Sequence, residues 1–277
     1  MNKFVKAAVV GHPVSHSKSP LIHNYWIEKY GLNGAYEAID TAPENLEQSI
    51  RRLVDEGFTG FNVTVPHKEA VLTLCDEADH NARAIGAVNT VVIKDGKLRG
   101  LNTDGFGFLH NIWEVAPDFE FQNKRAVILG AGGAARAIIS GLIGEEIGQI
   151  VLTNRTREKA EKIKDEMGSS SDLIVVEDWE NRNQVLENAD LLVNTTSLGM
   201  NGQPPLDINL NALPKTALVN DIVYAPLQTD LLKAAKENGN IAVTGIGMLI
   251  HQARPAFKAW FGVLPDVTDE LRELVLK

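Results

Sequence analysis

The stretch VILGAGGAARA, residues 127–137, constrains the fold of this chain more than any other segment. An apolar, strand-like start leads through a glycine turn into an alanine-rich, helix-favouring run. Gly130, Gly132 and Ala135 stand at G-x-G-x-x-A spacing. In such a pattern the first glycine permits a tight turn, and the second lets the backbone approach a pyrophosphate. The small third residue lets helix and strand pack closely. A helix opening at that point turns N–H donors and its positive dipole end toward an anion. Glycines also serve plain structural turns, and it is the strand–turn–helix setting that points to a dinucleotide.

The surrounding residues extend the pattern. QIVLTN (149–154), DLIVVE (172–177), ADLLVNTT (189–196), TALVNDIVY (216–224) and IAVTG (241–245) read as short apolar strands. Helical stretches such as REKAEKIKDEM (157–167) stand before or between them, a βαβ series that implies a parallel sheet. The end of the second strand selects the dinucleotide. A cofactor with a free ribose 2′-hydroxyl wants an acid there. This chain has Asn154, Arg155, Thr156 and Lys159 instead. A guanidinium without a nearby acid suits a 2′-phosphate, so NADP is the expected cofactor. A solvated helix start is the plainer reading, but cations at a helix N-terminus oppose its dipole and need another reason to be there.

Upstream, FVKAAVVG (4–11), AYEAID (35–40) and GFNVTV (60–65) read as strands, the last stopped by Pro66. A helix is expected over 19–30 with Ser19 as N-cap and Pro20 in its first turn, and another over 44–57. NTVVIKDGKLRGLNTD (89–104) reads as a hairpin turning at Asp95-Gly96. Polar residues gather near these strand ends. Asn62 and Thr64 alternate toward one face, Lys68 follows just past Pro66, and Asn89 and Asp104 bracket the hairpin. Taken singly, Lys68 is a surface charge and Asp104 a helix cap. GHPVSHSKSP (11–20) adds Ser15, Ser17 and Ser19 on alternate positions, suited to an anion cradle, a phosphorylation site or a helix cap.

Composition narrows the partners. The length of 277 residues is comfortable for two domains, and a formal charge of −9 argues against a nucleic-acid binder, which needs a basic face. No apolar run approaches the ~20 residues that span a membrane. The N-terminus lacks a secretory h-region. Cys75 is the single cysteine, so neither a disulfide framework nor a cysteine metal cluster is expected, and a reducing cytoplasm fits best.

HSKSP (16–20), NVTVPHK (62–68), GAVNT (86–90), NTDG (102–105), GAGGAARA (130–137), NRT (154–156), NTTSLGM (194–200) and GMLIHQA (247–253) occur in that order. Together they closely resemble the shikimate dehydrogenase family across essentially the whole chain. The resemblance implies a two-domain α/β fold. Residues 1–104 with 248–277 would form the substrate domain, the C-terminal helices returning to it, and 105–247 a Rossmann-type, doubly wound NADP domain. It implies reversible reduction of 3-dehydroshikimate by NADPH in aromatic amino-acid biosynthesis, by a monomer or homodimer without a metal. Lys68 and Asp104 would be the catalytic pair. Ser17 and Ser19 would hold the substrate carboxylate, Asn62, Thr64, Asn89 and Gln252 its ring hydroxyls, and Tyr224 would help close the site. Cofactor contacts would come from Gly130, Ala131, Gly132, Gly133, Ala134, Asn154, Arg155, Thr156, Lys159, Thr195, Thr196, Ser197, Gly245 and Met248. His67 stands where an aromatic is frequent, and Lys159 where Arg is frequent. A broader quinate/shikimate dehydrogenase using NAD, or a non-catalytic NADP-binding protein on the same scaffold, are the alternatives. The first wants an acid near 154–156; the second would tolerate loss of the Lys68/Asp104 pair.

Overall fold

A computed structural model describes residues 4–277, and these divide into two compact units. One contains the chain up to Thr103 together with Ile250–Lys277, and the other is Asp104–Leu249. Residues 1–3 of the expected substrate domain lie outside the described residues.

In the first unit the strands are β1 (Val5–Gly11), β2 (Gly34–Asp40), β3 (Gly60–Val63), β4 (Glu77–Ala78), β5 (Thr90–Lys94) and β6 (Lys97–Leu101). They form a mixed sheet in the order β2-β1-β3-β5-β6-β4. The first three run parallel, β5 lies antiparallel to β3, and β6 turns back to pair in parallel with β4. Asp95 and Gly96 both take positive φ at the turn, as a two-residue hairpin of this hand requires. The connecting helices are α1 (Ser19–Lys29), α2 (Leu46–Asp55), α3 (Lys68–Leu74) and α4 (His80–Ile85). The long amphipathic stretch 44–57 begins as a short 3-10 turn, Pro43–Asn45, before α2.

Two local expectations need correction. Ser19 is the first helical residue rather than the cap: Lys18 takes the N-cap position with no side-chain bond, and the Ser19 N–H donates to Ser17 Oγ at 3.3 Å. β3 spans Gly60–Val63 and so stops short of the expected 60–65, although the Thr64 N–H still donates to the Val10 carbonyl of β1 at 3.0 Å.

The second unit opens with α5 (Asp104–Val115) and builds an all-parallel sheet from β7 (Arg125–Leu129), β8 (Gln149–Asn154), β9 (Ile174–Asp178), β10 (Leu191–Asn194), β11 (Leu218–Asp221) and β12 (Ile241–Val243). Its order, β12-β11-β10-β7-β8-β9, places the first strand of the unit beside the fourth. That is the Rossmann arrangement, with ligand binding expected beyond the carboxyl ends of the strands where the order reverses. Helices α6 (Gly133–Gly144), α7 (Arg157–Glu166) and α8 (Asp230–Asn238) connect the strands. Strands such as Leu191–Asn194 are buried throughout, as a parallel sheet covered on both faces requires. Separate apolar clusters, one around Ile128, Ile138 and Leu191 and one around Leu129, Leu192 and Leu232, occupy its two sides. Helix α9 (Gly245–Phe261) carries the chain back into the first unit, which α10 (Asp269–Leu276) completes. No described helix is long and apolar enough to cross a membrane.

Candidate active site

In the second unit the glycine turn forms one wall of a cavity of about 230 Å³. Gly130 closes the turn at φ +105, and a Cβ there would stand 2.7 Å from Thr195 Oγ1. Gly132 differs, because a Cβ would meet no protein atom within 4 Å and would project into open space. That space lets a ligand group approach the backbone. Asn154 clamps the loop: its Oδ1 accepts from the Ala131 N–H at 3.2 Å, and its Nδ2 donates to the Thr156 carbonyl at 2.8 Å. Arg155 and Lys159 border the same cavity, and no carboxylate does. Among the described residues neither cation has an ion-pair partner, whereas Arg157 is held by Asp178 and Glu161. Two free cations and a glycine cradle without an acid fit a dinucleotide bearing a 2′-phosphate.

Other residues place themselves around this frame. Thr195 is buried with its hydroxyl donated to the Leu129 carbonyl at 2.8 Å, and Thr196 Oγ1 donates to Asn194 Oδ1 at 2.7 Å. Both hydroxyls therefore shape the loop after β10, while Ser197 is exposed on the cavity wall. Trp179 and Leu198 also line the cavity; Leu198 lies within the NTTSLGM run, whereas the sequence offered no signal for Trp179. Gly133 opens α6 with Ala134 behind it, and Thr156 takes the N-cap position of α7. Gly245 begins α9, and Met248 is buried against the unit's core. Asp104 is buried in the first turn of α5, where the helix dipole favours a carboxylate. Tyr224 is exposed on the segment after β11. That segment is anchored by the buried Asp221, which accepts from Asn194 Nδ2 (2.9 Å), the Val223 N–H (3.0 Å) and Thr229 Oγ1 (2.6 Å). Burial pushes the Asp221 carboxyl pKa up, and these three bonds oppose the shift.

The first unit holds a continuous polar floor. Tyr36, on β2, donates its hydroxyl to Asn62 Oδ1 at 2.7 Å. Asn62 Nδ2 donates to the Asn89 carbonyl (3.1 Å) and to Thr90 Oγ1 (3.0 Å). The Thr90 hydroxyl passes to Asn89 Oδ1 at 3.0 Å, and Asn89 Nδ2 donates to Thr103 Oγ1 at 3.0 Å. Thr103 Oγ1 then donates to the Gln252 carbonyl at 2.8 Å. At the other end the Ser19 hydroxyl bonds Tyr36 and lowers the phenol pKa, although burial, the larger effect, carries it well above its ordinary value. Ser19, Asn62, Asn89 and Gln252 are thus members of one network. Tyr36, Thr90 and Thr103, its other members, were invisible in the sequence because aromatic and β-branched residues are ordinary strand fillers. Thr64 lies over Gly11, so close that a Cβ on that glycine would overlap it. Lys68 opens α3, and the neighbouring His67 is buried with Nε2 2.7 Å from the Thr41 carbonyl. No group of three or more His, Cys, Asp or Glu side chains suited to a metal ion occurs among the described residues.

Three family models match the chain: the shikimate dehydrogenase substrate binding domain over residues 9–91, shikimate / quinate 5-dehydrogenase over 114–200, and the shikimate 5′-dehydrogenase C-terminal domain over 245–276. A shikimate dehydrogenase (NADP(+)) of Paramagnetospirillum magneticum is 52% identical over 98% of this chain and 97% of its own length. One from Rhodospirillum rubrum is 49% identical, with coverages of 98% and 96%. Among solved structures, Thermus thermophilus shikimate 5-dehydrogenase in complex with NADP(H) and shikimate is 36% identical, with a TM-score of 0.86 over 98% of both chains. The quinate dehydrogenase of Corynebacterium glutamicum in complex with NAD is 31% identical, with a TM-score of 0.90 over 99% of both. On this full-length likeness, the chain belongs to the shikimate dehydrogenase family.

Proposed function

We propose that the protein reduces 3-dehydroshikimate reversibly to shikimate with NADPH. The observation that carries this reading is a glycine cradle bordered by Arg155 and Lys159 without an acid, in a chain that also builds a floor of amides and hydroxyls suited to a polyhydroxylated acid. NADPH, when bound, supplies the hydride. Arg155 and Lys159 would hold its 2′-phosphate, and the N–H groups at the start of α6 would take its pyrophosphate.

Lys68 holds a proton on its ammonium and delivers it to the oxygen that becomes an alkoxide as the carbonyl carbon is reduced. In oxidation the proton returns to the same nitrogen. Asp104 accepts from a substrate hydroxyl and keeps Lys68 oriented. Ser17 and Ser19 hold the carboxylate; Ser17 Oγ already accepts from the Ser19 N–H, which leaves its own proton for the ligand, and Ser19 turns its proton from the Tyr36 oxygen to the carboxylate when the ligand binds. Asn62, Thr64, Asn89 and Gln252 take the ring hydroxyls, and Tyr224 closes over them. The first unit is the substrate domain and the second the cofactor domain. The protein acts in the cytoplasm as a monomer or homodimer, without nucleic-acid or membrane partners, a reading supported by the charge of −9 and the lone cysteine.

The test is the appearance of reduced nicotinamide with shikimate or quinate as substrate and NADP⁺ or NAD⁺ as cofactor. Shikimate with NADP⁺ is expected to be the preferred pair, and a preference for quinate with NAD⁺ overturns the reading. Lys68→Ala is expected to lower kcat by roughly 10²–10⁴-fold, the range of a positioned acid–base group. A near-normal kcat with weakened binding alone would remove Lys68 from the proton path.

A further inference from the structure

The polar floor assigns a role to a residue that touches neither the cofactor cavity nor the proton path. We propose that Tyr36 is a positioning residue that fixes the Asn62 amide so that it meets the substrate only as a hydrogen-bond acceptor, making the site specific for a hydroxyl at that point. This rests on the substrate reading given above.

The Asn62 side chain offers two N–H donors and an oxygen with two lone pairs. Both donors are committed, to the Asn89 carbonyl and to Thr90 Oγ1, and the Tyr36 hydroxyl takes one lone pair. The second lone pair of Oδ1 remains for a ligand, with the His23 ring, which also faces the Asn62 side chain, as its protein neighbour. A ligand hydroxyl can donate to that lone pair, whereas a ketone or ether oxygen in the same place would face another acceptor. Rejection of a missing or masked hydroxyl is strong where the site's own polar groups are then left unpaired.

Tyr36 is built to hold that geometry. Its backbone is pinned on both sides by Asn24, whose Nδ2 donates to the Tyr36 carbonyl at 2.8 Å and whose Oδ1 accepts its N–H at 3.1 Å. Its ring stacks on His23, with centroids 4.1 Å apart and planes 7° from parallel. His23 and Ser19 lie one helical turn apart on α1, so one face of that helix presents both the plate under the phenol and the hydroxyl that meets its oxygen. Neither His23 ring nitrogen makes a hydrogen bond of normal geometry, but the Asn62 side chain lies near enough to raise the ring's pKa against burial, so His23 borders the same amide as well as the phenol. Trp260, on α9, completes the enclosure at 6.0 Å from the Tyr36 ring.

The experiment begins with wild-type turnover of shikimate and NADP⁺, and failure there rejects the substrate reading rather than this one. Given turnover, Tyr36→Phe keeps the ring and removes one hydrogen bond. It is expected to raise KM for shikimate about five- to tenfold while kcat stays within about twofold and KM for NADP⁺ is unchanged. The same substitution is then made in an Asn62→Ala background. A Tyr36→Phe factor there of less than half its wild-type value supports action through Asn62. A larger factor, or an unchanged KM in the single variant, overturns it. If Asn62→Ala is too slow to assay, the comparison is made on shikimate Kd by calorimetry. If Tyr36→Phe does not fold, Thr90→Val releases the same amide from its other end and is held to the same KM criterion, with Thr90→Ser expected to restore the wild-type value.

Discussion

His23 shows how strongly a single side chain is governed by what surrounds it. It is fully buried, stacked on Tyr36 and flanked by Trp26, Phe257 and Trp260, and burial pushes its pKa down to about 3. The folded protein therefore keeps the ring neutral under conditions where an unfolded chain takes up a proton. Above pH 6.5, the ordinary value, both states are neutral and this site makes no difference. As pH falls from there toward 3, the unfolded state gains protons that the native ring refuses, and stability drops by up to about 1.4 kcal/mol per pH unit. His23→Phe keeps a flat ring and removes two nitrogens that make no hydrogen bond of normal geometry, together with their polar approach to Asn62. It is expected to lie within about 1.5 kcal/mol of wild type at pH 7. Relative to that baseline, it should gain roughly 2 kcal/mol on wild type by pH 5. Urea unfolding at the two pH values measures the difference, and parallel curves would show that His23 does not titrate in this window.

At the scale of elements, the turn between β7 and α6 contains two glycines with opposite reasons for being glycine. Gly130 needs its positive φ and has Thr195 and Thr196 against it, so Gly130→Ala is expected to lower thermal stability and NADP⁺ binding together. At Gly132 the φ of −100° is open to any residue and no protein atom lies near a new methyl group. Gly132→Ala should keep the wild-type Tm and still weaken NADP⁺ binding at least about tenfold, because the methyl occupies space the pyrophosphate needs. Calorimetric titration beside thermal melts separates the two, and a Gly132→Ala protein that binds NADP⁺ normally would dissociate the turn from the cofactor.

This turn was legible in the sequence because its meaning lies in the spacing of neighbouring residues, as do Asn154 and Arg155 at the end of the next strand. The alternation of strands and helices was legible for the same reason. Other features depend on partners distant in the chain. Thr103 matters through Gln252, and Trp179 lines a cavity whose floor was built some fifty residues earlier. β4, two residues long, carries too little pattern to be seen. Ser19 looked like a cap because Pro20 follows it, but the tight turn in which the Ser17 N–H donates to the Val14 carbonyl shifts the helix start by one residue.

On the scale of the molecule, the first unit is assembled from both ends of the chain. Trp260 Nε1 donates to the Val91 carbonyl at 3.0 Å, and Trp26 Nε1 to the Asp266 carbonyl at 3.0 Å. Leu271 and Val275 of α10 are buried, and Tyr25 on α1 bonds Thr268 at 2.8 Å. Ending the chain after Gly262 removes these last contacts and uncovers one side of α1. Two buried aliphatic side chains at about 1.5–3 kcal/mol each put the loss near 3–6 kcal/mol as an upper range. A lowered urea midpoint with faster amide exchange in α1 is the expected result, and an unchanged midpoint would show that α10 is dispensable.

That arrangement also sets an order in time. During synthesis the second unit, contiguous from Asp104 to Leu249, emerges complete while the first is still missing its closing helices. The strands that carry Tyr36, Asn62 and Asn89 leave the ribosome early, yet Trp260 and the rest of α9 reach them only after the whole second unit has been made. The nascent first unit thus waits with an open aromatic core while its successor folds, and the period of exposure is set by the translation of the whole second unit.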